Sequence, residues 1–162
     1  MPGQNADTMQ QRSPHSRDLR IGRVSMPGHV YLVTTVTEDR DPVFQDPWCA
    51  RYLVHALRYQ ESKGHARTLA FVVMPDHLHW LLQLGEPLSL SQVVAVAKRW
   101  SAEQINRERS RAGALWQAGF HDHAVRAEED LRSVARYVIH NPVRAGLVAS
   151  VGAYPHWDAI WV

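Results

Sequence analysis

Two histidines, His77 and His79, stand one residue apart in the run VVMPDHLHWLL. In an extended strand, side chains two positions apart share a face, so both imidazoles project together. Imidazole nitrogen is the commonest side-chain ligand for divalent metals, and two on one strand face can chelate a single ion. The same pair on a solvated face is also simply two polar residues, so a metal reading needs further groups. Tyr137 and Asn141 supply them, four residues apart in ARYVIHNPV. On a helix such positions are surface neighbours, which presents a phenol and a carboxamide together. A phenolic oxygen is a covalent nucleophile, but with an ordinary pKa of about 10 it is weak until activated. A divalent ion held by His77, His79 and an oxygen of Asn141 would polarise a phosphodiester and neutralise charge building on its oxygens. The product would be a phosphotyrosine whose bond energy is kept for rejoining, a property of cut-and-rejoin enzymes rather than simple nucleases. The alternatives are ordinary: a tyrosine on a helix flank is commonly packing with a hydrogen-bonded tip, and Asn-Pro is commonly a helix stop. His140 adjoins both residues as a further ligand, a base, or a solvated side chain.

These residues need elements to hold them. Opposite the histidines, Leu78, Trp80, Leu82 and Leu84 form an apolar strand face that calls for helices on that side, leaving His77, His79 and Gln83 on an open one. Thr68 to Met74 reads as the partner strand, joined through Pro75 and Asp76, and the β-branched run VYLVTTVT from Val30 to Thr37 as another. Asp46 followed by Pro47 starts a helix that Gly64 stops, and Ser89 or Ser91 caps a second running to about Arg109. His121 to Val125 reads as a fourth strand. Glu128, Glu129 and Asp130 then open a third helix, where the macrodipole favours acids. Its buried stripe is Leu131, Val134, Ala135 and Val138, with Tyr137 on the flank, and the helix ends at Asn141, before Pro142. The order predicts an α+β chain with a ferredoxin-like antiparallel four-stranded sheet, helices on one face, and an additional C-terminal helix carrying the tyrosine.

The 162 residues suit one domain at 29–148, preceded by an arginine-containing flexible arm at 1–28 and followed by a tail at 149–162. No apolar stretch is long enough to span a membrane, and the N-terminus lacks the apolar segment of a secretory signal. Cys49 is the single cysteine, which excludes an intramolecular disulfide and multi-thiolate metal sites and fits a reducing cytoplasm. A formal net charge of +2 does not argue for nucleic acid, but among 18 basic residues only Lys63 and Lys98 are lysines. Arginine is suited to bidentate phosphate contacts and to stacking on bases, while GC-rich coding gives the same bias without function. Arg12, Arg17, Arg20 and Arg23 of the arm could follow a phosphate backbone, or be merely solvated.

Three stretches, VVMPDHLHWLLQL (72–84), GALWQAGFHDHAVRAEEDL (113–131) and ARYVIHNPVRAGLV (135–148), together resemble the single-tyrosine HUH transposases, and more closely the REP-associated tyrosine transposases of bacteria. With the YLVTTVT strand, the resemblance spans about residues 30–148. It implies that His77 and His79 are the HUH metal ligands, Tyr137 the nucleophile, and Asn141 the third ligand, at a position where related enzymes often carry Gln. It further implies magnesium- or manganese-dependent cleavage of single-stranded DNA folded as a repeated palindromic hairpin, giving a 5′-phosphotyrosine and a free 3′-hydroxyl. Trp116 and Arg126 would then contact unpaired bases, and Arg144 phosphate, though Trp116 equally closes a core and Arg144 equally caps a helix. Related enzymes act as monomers or homodimers, and a bacterial, nucleoid-associated location in the cytoplasm follows. The C-terminus departs from the pattern: many members end in Trp-Pro-Tyr-Ser-Ser, whereas this chain ends YPHWDAIWV. Trp157 and Trp161 are expected to dock against the sheet or helices. A non-catalytic binder of hairpin DNA or RNA and a metal phosphohydrolase using water remain alternatives.

Overall fold

The computed structural model describes residues 25–126 and 129–161. Its strands are β1 (Val30–Val36), β2 (Ala66–Met74), β3 (His77–Leu84), β4 (His121–Ala124) and β5 (Trp157–Ala159), and its helices α1 (Pro47–Ser62), α2 (Leu90–Glu108), α3 (Leu131–Ile139) and α4 (Asn141–Arg144). The helix starts follow the expected chemistry. Asp46 accepts the Trp48 backbone N–H at 2.9 Å with Pro47 at the start of α1, and Ser89 and Gln92 cap α2 reciprocally at 3.2 and 2.9 Å. Gly64, at φ +71°, turns the chain out of α1 into β2.

The sheet is antiparallel in the order β4-β1-β3-β2-β5. The first four strands reproduce the expected ferredoxin-like order, and the expected count of four strands is corrected to five. Trp157–Ala159 of the tail pairs with the free edge of β2, placing Ala159 opposite Ala70 and Trp157 opposite Val72. A three-residue strand gives little periodicity to read. Its value lies in capping an edge that would otherwise expose unpaired amides. Trp157 and Trp161 pack against the sheet as expected.

The reading of the histidine face as open is corrected too. α1 and α2 cover one face, burying Leu78, Trp80, Leu82 and Leu84 together with Val33, Phe71 and Val73. The histidine face is not open along its whole width, because α3 lies across it, with Ala135, Val138 and Ile139 buried against Ala70, Val72, Met74 and Leu81. Leu81 sits between His79 and Gln83 on that face and is fully buried. Leaving side chains of this size in water forfeits about 1.5–3 kcal/mol each, so an apolar helix face has to cover them. Covering one half of the face leaves the histidine end at the margin of α3.

The helix end also differs. α3 stops at Ile139, His140 keeps helical backbone angles (φ −83°, ψ −2°), and Asn141 begins α4 with Pro142 in its first turn. Proline lacks an N–H and tolerates the start of a helix, so the chain turns and restarts rather than leaving helical geometry.

The tail is tied down by Tyr154, whose hydroxyl donates to the Val73 carbonyl. Burial pushes the Tyr154 phenol up to about 12. A folded-state pKa raised above the unfolded value of about 10 stabilises the fold below pH 10, and that stabilisation is lost as pH rises through 12. Alkaline melting is therefore expected to lower the melting temperature across this window, with a shallower fall in Tyr154→Phe; parallel curves would show that the phenol is not coupled to folding.

Candidate active site

Strand register assembles the site. On β1, Thr34 stands opposite His79 on one side and His121 on the other, and Val72 of β2 stands opposite His79. Directly opposed residues share a face. The row His121, Thr34, His79, Val72, Trp157 therefore crosses all five strands on the α3 side.

His77 and His79 are brought together as the strand spacing requires, with ring centroids 4.9 Å apart and planes at 83°. Each Nδ1 is already engaged. His77 Nδ1 lies 2.7 Å from Asp76 Oδ1, and His79 Nδ1 lies 2.8 Å from Thr34 Oγ1. Burial alone would raise the Asp76 carboxyl, but the hydrogen bond and charge of His77, with the Arg40 guanidinium 3.3 Å away, outweigh it and hold it below the usual carboxylate range. An ionised Asp76 fixes the proton of His77 on Nδ1 and turns the Nε2 lone pair outward. Burial, then the neighbouring His77 and the positive charge of Arg144, push the His79 imidazole down to about 4. It is neutral at physiological pH, the form that binds metal.

Asn141 has one end of its carboxamide, Nδ2, buried with no hydrogen-bond partner. Carboxamide nitrogen and oxygen exchange places on a half-turn, so this end can equally present oxygen. A donor set of two imidazole nitrogens and one amide oxygen would suit manganese or magnesium. Among the described residues, no group of three or more His, Cys, Asp or Glu side chains is placed to hold a metal ion.

Tyr137 is 56% exposed, on the outer side of α3. The Arg144 guanidinium carbon lies 4.0 Å from its ring centroid, and Arg144 Nη2 donates to the Tyr137 carbonyl. The positive charge of Arg144 is also the last of the causes that lower the His79 imidazole. His140 turns away, donating from Nδ1 to the Arg136 carbonyl at 2.8 Å.

The expected DNA contacts fare unevenly. Trp116 is 6% exposed, tilted against Phe44 with centroids 5.3 Å apart, and its indole N–H donates to Ser101 Oγ at 3.2 Å. Its stacking role is corrected accordingly: a ring enclosed on these sides offers no face to a base, and the residue closes the core. Arg126 is exposed and lines a cleft of about 750 Å³ beside β4, with Tyr31, Phe120 and His123. Arg12, Arg17, Arg20 and Arg23 lie outside the described residues. The residues that sequence reasoning missed as supports are Thr34, Asp76 and Arg40. Asp76 had a local signal, adjacency to His77, but read as a turn residue, whereas Thr34 and Arg40 meet the site only through strand pairing and the fold.

Residues 25–141 match the family described as transposase IS200-like. A Haemophilus influenzae protein named as a REP-associated tyrosine transposase is 28% identical over 141 residues, covering 80% of this chain and 78% of that one. An Escherichia coli REP-associated tyrosine transposase is 33% identical over 91 residues, 53% of this chain and 50% of that one. Among solved structures, a REP-associated tyrosine transposase bound to a REP hairpin superposes with a TM-score of 0.68 at 25% identity, covering 83% of this chain and 79% of that one. A Deinococcus radiodurans protein described as a transposase shares the fold at a TM-score of 0.52 and 24% identity, over 74% and 95% of the two chains. The family match takes in both histidines, Tyr137 and Asn141 and covers well over half of the sequence, so the chain belongs to the IS200-like transposase family, with REP-associated tyrosine transposases among its relatives.

Proposed function

We propose that this protein binds a hairpin of single-stranded DNA from a repeated palindromic element, then cleaves and rejoins it through Tyr137. The observation that carries the reading is a pair of histidines on one strand face, each with its Nδ1 already held, in a chain whose Tyr137 is exposed and stacked by Arg144. The relative solved with a REP hairpin supports the choice of substrate. His77, His79 and Asn141 would hold a magnesium or manganese ion, which when bound withdraws charge from the scissile phosphate. Tyr137 Oη bonds to phosphorus, its proton passes to the solvent that reaches the ring, and the bond from phosphorus to the 3′-oxygen breaks. The products are a 5′-phosphotyrosine and a 3′-hydroxyl, and attack by a 3′-hydroxyl reverses the step. The expected place of action is the bacterial cytoplasm, where the DNA lies. No described helix is long and apolar enough to cross a membrane.

The test is a labelled hairpin oligonucleotide with a single-stranded flank, incubated with the full chain and manganese. A covalent adduct that disappears in Tyr137→Phe supports the reading; tight binding without cleavage under any divalent ion would make the protein a hairpin-binding relative instead. The supporting residues should matter as well. Thr34→Val and Asp76→Asn each free one imidazole to turn, and orienting partners of metal ligands are commonly worth about 10–100-fold in metal affinity. Manganese titration followed calorimetrically should show a loss in that range for both, and unchanged affinity would remove Thr34 and Asp76 from the site.

A further inference from the structure

Tyr137 poses a mechanical problem that its own helix does not solve. A side chain 56% exposed on a helix of nine residues, two residues from its end, has few packing partners to select one rotamer. The end of α3 is also short of hydrogen-bond donors. The last carbonyls of a helix lack intrahelical partners, and the Tyr137 carbonyl is among them. Arg144 meets both deficits. From α4 its guanidinium reaches back over seven residues, donates to the Tyr137 carbonyl, and lies 4.0 Å from the centroid of the same residue's ring. A planar cation can stack on an aromatic face and donate from its edge at once, which a lysine ammonium cannot do. The His140 turn makes this possible. By reversing little and restarting at once, it sets α4 where residue 144 overlies residue 137, with Arg144 N–H bonded to the His140 carbonyl at 3.0 Å.

From this geometry we infer that Arg144 is a positioning residue for the nucleophile: it holds the Tyr137 ring and backbone in one orientation toward the histidine pair, rather than serving mainly as a phosphate anchor. This rests on Tyr137 being the nucleophile, and the two readings of Arg144 differ in what they move. A phosphate anchor contributes to affinity for DNA and to its salt dependence. A positioning group leaves affinity alone and changes the rate once DNA is bound, because misplacement by about 1 Å can cost about 100-fold in rate.

The experiment compares wild type, Arg144→Gln and Arg144→Lys, each first checked for an unchanged far-ultraviolet spectrum. With the hairpin oligonucleotide, Arg144→Gln is expected to bind within about twofold of wild type at two salt concentrations while single-turnover adduct formation at saturating DNA falls about 10–100-fold. Arg144→Lys should recover less than half of that loss, because charge alone does not restore stacking. A second readout needs no activity. With 3-fluorotyrosine in place of the five tyrosines, the ¹⁹F resonance that vanishes in Tyr137→Phe should shift in Arg144→Gln while the others stay. An unshifted resonance, or an affinity loss with an unchanged saturating rate, overturns the inference. If wild type forms no adduct at all, the proposed function fails while the ¹⁹F shift still decides whether Arg144 holds Tyr137; should Arg144→Gln not fold, Arg144→Lys carries both readouts.

Discussion

Tyr137→Phe is expected to bind a DNA hairpin as wild type does and to form no covalent adduct with it. The change removes a single oxygen from a side chain that is 56% exposed, and that hydroxyl has no hydrogen bond to any described residue. Nothing buried loses a partner, so stability should change by no more than about 0.5 kcal/mol. The guanidinium of Arg144 can stack on a phenylalanine face as it does on the phenol, which keeps the local backbone in place. What is lost is the only atom of the residue that can attack phosphorus. Removal of a nucleophile from an assembled catalytic group can cost about 10⁶-fold in rate, so denaturing gels of labelled hairpin should show a drop of at least about 10³-fold in adduct. Binding by gel shift and melting temperature serve as controls on the same preparation. Cleavage that persists without an adduct would mean that water attacks, and would make the protein a metal phosphohydrolase. Equal inactivity of wild type and variant, with hairpin binding intact, would identify a binding protein built on a transposase fold.

The parts of this site that were legible in sequence are those set by local periodicity. Residues two apart on a strand share a face whatever surrounds them, so His77 and His79 could be paired before any fold was known. Helix caps are similarly local: Asp46 and Pro47, or a serine at 89 or 91, specify a start within one turn, and the structure selects Ser89. What could not be read was the result of sheet pairing. Thr34 is one residue of a β-branched run until β1 and β3 come into register and set its hydroxyl on His79. Leu81 was the sign that the histidine face is partly covered, since one fully buried leucine between His79 and Gln83 is inconsistent with an open face. Its meaning emerges only against α3, which begins 50 residues later, and a still longer separation in sequence hides the addition of β5 to β2. Asn141-Pro142 misled for a different reason. The rule that the residue before proline leaves helical geometry is a steric bias, and here it yields to proline's tolerance at the start of α4.

Loss of either histidine is expected to abolish metal binding, but the two variants should differ in what else they lose. His77 has a side chain 19% exposed and bonded to the adjacent Asp76, itself held by Arg40. His77→Ala leaves Asp76 with Arg40 and with access to water, so the folded state should lose little. His79 is more deeply placed, hydrogen-bonded to Thr34 across the strand pair, with burial as the first cause of its low pKa. His79→Ala opens a void there and deprives the Thr34 hydroxyl of its partner, a change that costs about 1–3 kcal/mol when the group is out of reach of water. Calorimetric titration with manganese should give one site for wild type and at least about 100-fold weaker binding for either variant, whereas thermal melting should separate them, His79→Ala being the less stable. Chelation should reproduce the metal half of this result in the unaltered protein, stopping adduct formation while hairpin binding continues, and added manganese should restore it more fully than magnesium because imidazole nitrogen competes poorly for magnesium's tightly held water. Proton competition at His79 should be negligible near neutrality, since its imidazole titrates at about 4. Manganese binding that survives both His77→Ala and His79→Ala would place the ion elsewhere and deprive the proposed reaction of the phosphate-activating group that the histidine pair is assigned to hold.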